Sequence, residues 1–134
     1  MSIPDWGTVR DCMSTKVTEI DGRMDVLSAM KVMKKVGSTS LTVKRRDEDD
    51  EYGMLLFSDI AKQVIARNRA PERVSVYEIM VKPVLTVRPD MKVRYCARFF
   101  EKFKISHAPV LEDGTIIGMD SYYRLRLHGL PDLS

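Results

Sequence analysis

Apolar residues recur at spacings of three and four in two stretches of the chain that lie 67 residues apart. These spacings place the apolar side chains on one face of a helix, so each stretch predicts an amphipathic helix that packs against a core. The apolar positions are Val26, Leu27, Met30 and Met33 in the first stretch, and Val93, Cys96, Phe100 and Phe103 in the second. Asp25, three residues before Ser28, is a candidate N-cap for the first helix, and Pro89 opens the second.

Short apolar segments flank each predicted helix and predict β-strands. The predicted strands cover residues 16–20, 41–44 and 52–56 in the first copy, and residues 84–87, 108–111 and 115–119 in the second. The last two segments of each copy form a hairpin, and Asp113-Gly114 is a typical turn between the second pair. A closing helix follows, at residues 58–67 and 121–127, so each copy has the order β-α-β-β-α.

The chain is therefore an internal repeat. Val9 and Met13 return as Val76 and Met80, 67 residues later, and the apolar positions persist although few identities do. A single copy would leave one face of its sheet exposed, whereas two packed copies bury it. We expect an α+β fold in which residues 1–75 hold the first repeat and residues 76–134 the second.

Composition and charge exclude several classes of function. The chain has 134 residues, 44% of them apolar, and a net charge of only +3. Its basic residues alternate with acids and do not interleave with aromatic side chains, so nucleic-acid binding is not expected. The basic run at residues 44–46 is followed by acids and is interpreted as a solvated hairpin. No apolar run is long enough to span a membrane and no secretory signal is recognisable, so a cytoplasmic protein is expected.

The residues that most often carry catalysis or bind metals form no recognisable set. Cys12 and Cys96 lack a second cysteine or a histidine at ligand spacing, which argues against a metal site. A disulfide between them is one interpretation, and two buried free thiols are the preferred one. His107 and His128 lie in different segments without an acid partner. No nucleophile elbow or phosphate-binding glycine loop is present, so an enzyme is not expected.

Four motifs, each present twice and in the same order, carry a family resemblance. They are the Val-x-x-x-Met pairs Val9/Met13 and Val76/Met80, the strands at 16–20 and 83–87, the segments at 38–43 and 105–110, and the glycine-led segments at 53–60 and 118–125. Together they resemble a tandem pair of CBS (cystathionine-β-synthase) domains, a Bateman module, from about Val9 to Leu127.

The resemblance implies two CBS repeats packed with pseudo-two-fold symmetry. It further implies a non-catalytic regulatory and signalling module that senses an adenosine-containing ligand (AMP, ADP, ATP or S-adenosylmethionine) in clefts between the repeats. Many such pairs form homodimers, so we expect a homodimer that signals to a partner protein that the sequence does not identify.

The family's adenosine signature joins a Ser or Thr to an Asp three residues later, with the carboxylate accepting hydrogen bonds from the ribose hydroxyls. The first copy has Asp59 but places Leu56 at the hydroxyl position, and the second has Ser121 but places Arg124 at the acid position. The ligand-contact candidates that the resemblance implies are Val17, Thr39, Ser40, Leu41, Ser58 and Asp59 in the first copy, and Ser106, His107, Ala108, Pro109, Ser121 and Arg124 in the second.

Structural roles are the alternatives for several of these residues. Asp59 can act as a favourable charge in the first turn of a helix, and Ser121 as an N-cap. Arg124 is interpreted as a solvated helix residue, and His107 as a hydrogen-bonded polar side chain. If neither signature binds a ligand, the alternative function is a dimerising protein-interaction scaffold. Its interface would use exposed aromatic side chains such as Trp6, Tyr122 and Tyr123.

Overall fold

The computed structural model describes residues 5–130 and divides them into two units. Residues 18–84 form one unit, which we call the continuous unit. Residues 5–17 and 85–130 form the other, which we call the split unit. The units differ from the predicted division after residue 75. The first segment of each copy (residues 5–17 and 76–84, here called the leading segments) belongs to the unit that holds the other copy's strands. The chain's first four residues, where a secretory signal would begin, lie outside the described range.

Backbone hydrogen bonds explain this exchange of segments. In the continuous unit the Val26 amide donates to the Val74 carbonyl and the Val76 amide donates to the Met24 carbonyl, each at 2.8 Å. In the split unit, in the same way, the Val9 amide donates to the carbonyl of Met91 at 2.8 Å. These bonds join each leading segment to the start of the long helix in the other copy, which is distant in the sequence.

The secondary structure follows the predicted order, with boundaries that shift by a few residues. In chain order the elements are α1 (Val9–Cys12), β1 (Glu19–Ile20), α2 (Val26–Val36), β2 (Ser40–Val43), β3 (Gly53–Leu56), α3 (Phe57–Ile60), a π-helical turn (Ala61–Ile65), a 3-10 turn (Pro71–Arg73), α4 (Val76–Ile79), α5 (Val93–Phe103), β4 (His107–Glu112), β5 (Thr115–Ser121) and α6 (Tyr122–Gly129). Each unit combines helices and strands, so the predicted α+β class is confirmed.

In the continuous unit, three strands form a sheet in the order β1-β2-β3. β1 is parallel to β2, and β2 is antiparallel to β3 with Ser40 opposite Leu56 and Val43 opposite Gly53. The predicted N-cap of α2 is confirmed, because the Asp25 carboxylate accepts the Ser28 amide at 2.9 Å. The core between α2 and the sheet is built from Ile20, Val26, Ala29, Met33, Leu41, Val43, Leu55, Ile60, Val64, Val74, Val76 and Ile79.

The split unit has a two-stranded hairpin, β4-β5, with His107 opposite Ser121. The strand predicted at residues 84–87 is reduced to one parallel bridge between Val87 and Val110. The prolines at positions 83 and 89 flank this segment and have no N–H group to extend a ladder. The core of this unit consists of Val9, Cys12, Val87, Val93, Cys96, Phe100, Ala108, Val110 and Leu125.

Two glycines at matching positions of the two copies let the leading segments approach the sheets. A Cβ atom at Gly118 would lie 2.6 Å from the Met13 sulfur and 2.9 Å from the Ser14 carbonyl oxygen. A Cβ atom at Gly53 would lie 3.0 Å from the Met80 sulfur, with the nearest backbone oxygen at 3.3 Å. At Gly118 a side chain would meet the main chain of the leading segment, whereas at Gly53 the nearest atom belongs to the flexible side chain of Met80.

We predict that Gly118→Ala lowers the free energy of unfolding by about 1–3 kcal/mol, since a backbone oxygen must move to admit the new methyl group. Gly53→Ala should cost less, because the flexible end of Met80 can give way. Gly129→Ala is the matched control: its Cβ atom would meet only Trp6 at 3.8 Å, an ordinary contact. Urea unfolding of the three variants measures the order, and equal losses at Gly118 and Gly129 would contradict the prediction.

Candidate functional site

In each unit, the start of the hairpin's first strand meets the start of the helix that follows the hairpin. In the continuous unit the Phe57 amide donates to the Thr39 carbonyl at 2.9 Å, and Ser40 pairs with Leu56. In the split unit the Tyr122 amide donates to the Ser106 carbonyl at 3.1 Å. We call these regions the signature ends of the two units, because they bring together the candidate residues that the sequence placed in two separate motifs.

At the signature end of the continuous unit, Asp59 is half-buried. One carboxylate oxygen, Oδ2, accepts the Leu56 amide at 3.2 Å. Asp59 therefore has the structural role that the sequence analysis gave as an alternative, an acid in the first turn of a helix. The other oxygen, Oδ1, has no hydrogen-bond partner among residues 5–130. Ser58 is exposed, and Leu56 supplies no hydroxyl group. The carboxylate is therefore held in place while half of its accepting capacity is unused.

The neighbouring strand presents hydroxyl groups. Thr39 is exposed, and Ser40 is half-buried with its amide bound to the Ser38 hydroxyl at 3.2 Å. A cavity of about 340 Å³ opens beside Thr39 and Phe57. Leu41, in contrast, is fully buried in the core, so its side chain cannot contact a ligand. Val17, also a candidate, is half-buried and lies outside the strands.

At the signature end of the split unit, two candidates have structural roles. The buried Ser121 caps α6, since its hydroxyl accepts the Arg124 amide at 3.1 Å. Arg124 is half-buried, and its Nε donates to the Cys12 carbonyl at 3.0 Å. The interpretation of Arg124 as a solvated residue was therefore wrong. Its guanidinium group satisfies a carbonyl at the end of α1 that no helical amide reaches.

The remaining candidates of the split unit lie on β4. His107 is half-buried, its Nδ1 lies 2.9 Å from the hydroxyl of the exposed Ser106, and burial lowers the pKa of the imidazole. This matches the interpretation of His107 as a hydrogen-bonded polar side chain. Ala108 and Pro109 are buried. A cavity of about 370 Å³ beside Ser106 and Tyr122 corresponds to the one in the continuous unit.

The sequence and the structure of this chain are similar to those of known proteins. The family model "CBS domain" matches residues 76–119. The hexameric CBS-CP12 protein from bloom-forming cyanobacteria is 35% identical, with a TM-score of 0.87, over 89% of this chain and 69% of that chain. The chain belongs to the CBS-domain family.

Two further relatives show the range of this family. The CBS domain pair of protein MJ0100, solved in complex with 5′-methylthioadenosine and S-adenosyl-L-methionine, is 27% identical with a TM-score of 0.76 over 91% of this chain and 99% of that chain. Homoserine O-acetyltransferase of Methanosalsum zhilinae is 30% identical over 88% of this chain but only 24% of its own length. The CBS chain spans between 24% and 60% of the curated relatives it matches.

Asp120 was missed by the sequence analysis. It is fully buried, its Oδ1 accepts the Ser121 amide at 2.9 Å, and its Oδ2 lies 3.5 and 3.6 Å from the thiols of Cys12 and Cys96. Both cysteines are free and buried, which confirms the preferred interpretation of free thiols over a disulfide. The matching residue of the first copy is the buried Leu55, so the repeat alignment marked this position as a core position.

The burial of this cluster has electrostatic consequences. Burial raises the pKa of the Asp120 carboxyl, and it raises the pKa of the Cys12 and Cys96 thiols to about 12. Weakly acidic thiols remain protonated donors at neutral pH and are poor nucleophiles. Within residues 5–130, no three His, Cys, Asp or Glu side chains converge to hold a metal ion, and no helix is long and apolar enough to cross a membrane.

A basic cleft in the continuous unit was also missed. It has a volume of about 800 Å³ and is lined in part by Arg23, Lys82 and residues 44–46. The basic run that the sequence analysis interpreted as a solvated hairpin thus lines a concave surface together with two distant cations. The order of charges in the sequence could not show this, because the acids of the same hairpin do not line the cleft.

We predict that the stability of the protein falls as the pH rises above about 4, relative to an Asp120→Asn variant. The pKa of Asp120 is raised in the folded state above its ordinary value of 3.8, so the folded protein holds this proton more tightly than the unfolded chain does. Stability is therefore fully present below pH 4 and is lost as the pH rises through the folded-state pKa. Urea unfolding between pH 4 and 8 measures the difference.

The matched control is Asp113→Asn, in the exposed turn of the same hairpin. The free energy of unfolding of this variant should change with pH in the same way as that of the wild-type protein. If the Asp120→Asn curve also runs parallel to the wild type, the carboxyl does not titrate as proposed.

Proposed function

We propose that this chain is a regulatory, non-catalytic CBS module that binds an adenosine-containing ligand (AMP, ADP, ATP or S-adenosylmethionine) and transmits the bound state to a partner protein. The observation that carries the proposal lies at the signature end of the continuous unit, where Asp59 accepts the amide of Leu56, the residue paired with Ser40. The related pair solved with 5′-methylthioadenosine and S-adenosyl-L-methionine supports the ligand class. CBS domain pairs are generally regulatory rather than catalytic, which supports the role.

The carboxylate of Asp59 suits a ribose because it is oriented and only half used. The Leu56 amide holds Oδ2, and Oδ1 remains available to accept a ribose hydroxyl. A charge-assisted bond of this kind is roughly twice as strong as one between neutral groups. Thr39 and Ser40 add hydroxyl donors on the adjoining strand.

The split unit is less suited to the same ligand. Its acid position holds Arg124, whose guanidinium is bound to the Cys12 carbonyl and cannot accept from a ribose. Ser121 is occupied as the cap of α6. We therefore propose the adenosine site for the continuous unit only. In the split unit, Ser121 and Arg124 stabilise the fold.

The test is a ligand titration followed by the thermal unfolding midpoint. The ligands are AMP, ADP, ATP, S-adenosylmethionine and 5′-methylthioadenosine. A ligand at 100 times its Kd stabilises the native state by about 2.7 kcal/mol, which shifts the midpoint by several degrees. We predict such a shift with at least one of these ligands and its loss in Asp59→Asn.

Asp11→Asn is the matched control. Asp11 also lies in the first turn of a four-residue helix and accepts the amide at the helix start, from Thr8 at 2.9 Å. The variant loses the same type of capping bond at a different place, so it should keep the ligand-induced shift. A shift that survives in Asp59→Asn would contradict the proposed site, and no shift with any ligand would contradict the adenosine sensor.

A ligand-free scaffold is the second candidate function, favoured by the exposed aromatic side chains. Trp6 is 42% exposed, Tyr122 45% and Tyr123 58%, and one edge contact of the Tyr122 ring is with Phe100, at 5.3 Å between centres. The related CBS-CP12 protein is hexameric. We propose homodimerisation in either case. A scaffold would show an oligomer that Tyr123→Ser weakens and no response to the ligands.

A further inference from the structure

We propose that the basic cleft of the continuous unit is a second binding site, for an oligophosphate: a small molecule with two or more linked phosphate groups. The cleft lies at the opposite end of β2 from Asp59. Ser40, at the signature end, pairs with Leu56, whereas Val43 pairs with Gly53 and leads into the cleft. Three residues of strand separate the two ends by about 10 Å. The site is therefore distinct from the proposed adenosine site.

The cleft has the size and lining of a small-molecule site. Its volume of about 800 Å³ lies within the usual range of roughly 300–1,000 Å³. Its charged lining consists of one acid and five bases, which are Asp21, Arg23, Lys44, Arg45, Arg46 and Lys82. Val43, Tyr77 and Met80 form an apolar wall, so the cleft also has room for an organic group attached to the phosphates.

Two carboxylates neutralise part of this charge. Arg23 donates two hydrogen bonds to the Asp21 carboxylate, from Nη2 at 2.9 Å and from Nε at 3.1 Å. Asp50, behind the lining, binds Lys82 at 2.7 Å and Arg46 at 3.2 Å. Asp21 thus pairs with one cation, and Asp50 pairs with two, so its single negative charge neutralises only part of their charge.

The other two cations, Lys44 and Arg45, are less strongly neutralised, although Lys44 is near enough to Asp21 to help lower the pKa of that carboxyl. Lys44 and Arg45 form no ion pair with a carboxylate among residues 5–130. The Arg45 guanidinium lies over the ring of Tyr52, 4.8 Å from its centre, which restricts its orientation. The acids at the tip of the hairpin, residues 47–49, are exposed and are not part of the cleft lining. Arg45 is half-buried, and Lys44 and Arg46 line the cleft from exposed positions, whereas the acids at residues 47–49 lie outside it.

The five cations of the cleft outnumber the two carboxylates, Asp21 and Asp50, that pair with them. An anion in the cleft would therefore lower the repulsion among the cations. A linked phosphate chain matches this arrangement, since it carries several negative charges within a few ångströms. Guanidinium groups bind phosphate oxygens with two parallel hydrogen bonds. A carboxylate ligand with one charge would leave most of the excess uncompensated.

The test is calorimetric titration of the whole chain with inorganic triphosphate at about 0.15 M salt, where the Debye length is about 8 Å. The wild-type chain is compared with the double variant Lys44→Gln/Arg45→Gln. We expect one triphosphate per chain, weaker binding of inorganic monophosphate, and at least about a tenfold loss of triphosphate affinity in the double variant. Lys44→Gln alone, at an exposed position, should show a smaller loss in the same direction and serves if the double variant unfolds.

The matched control is Lys31→Gln/Lys35→Gln, which removes the same charge from exposed positions on α2 outside the cleft. It should change the affinity by no more than about twofold, since exposed charges beyond the Debye length are screened. An equal loss in both double variants would show general attraction to a basic chain and overturn the site. No triphosphate binding to the wild-type chain would also overturn it.

Asp59→Asn separates this inference from the proposed function. Triphosphate binding should be unchanged in that variant, and adenosine, which carries no phosphate, should not displace triphosphate. Loss of triphosphate binding in Asp59→Asn, or displacement by adenosine, would place the phosphates at the signature end and overturn the second site. Failure of the adenosine titration leaves the expected triphosphate result intact.

Discussion

The close approach of a leading segment to a glycine in the sheet is the constraint on which each unit depends. At Gly118 the segment pairs through Ser14 and Met119, with bonds of 2.8 and 2.9 Å in both directions. Near Gly53 the same pair of bonds joins Met54 and Val81, at 2.9 and 3.0 Å. A side chain at Gly118 would push the segment away from the strand, and one at Gly53 would displace the end of the Met80 side chain. This contact brings α1 and α4 onto their sheets and completes both cores.

The functional residues follow from this contact. In the continuous unit it places α4 and the residues after it next to the end of β2, so that Tyr77, Met80 and Lys82 line the basic cleft. In the split unit it places the end of α1 above β5, where the Cys12 carbonyl meets Arg124 and the Cys12 thiol meets Asp120. One packing rule therefore produces a cleft in one unit and a closed polar cluster in the other.

The two copies have diverged in opposite directions from one pattern. In the split unit the polar groups bind one another: Ser121 caps α6, Arg124 satisfies α1, and Asp120 is enclosed with two thiols. Burying a carboxyl group is costly unless it is protonated or well hydrogen-bonded, and thiols are weak donors. The continuous unit has Leu55 at the corresponding core position and keeps its acid, Asp59, at the surface. Both proposed sites lie in the continuous unit, because Asp59 and the basic cleft belong to it.

The sequence by itself determined the local features of this protein. The spacing of apolar residues located α2 and α5, the turn residues located the β4-β5 hairpin, and Asp25 and Ser121 were recognisable as caps because a cap acts within three residues. The repeat and its motifs also led to the family. Only the tertiary structure decided which leading segment joins which sheet, since that choice rests on backbone bonds between distant residues. It also decided the partner of Arg124, the enclosure of Asp120 and the convergence of Lys82 with residues 44–46, because no local pattern encodes which side chains meet across a fold.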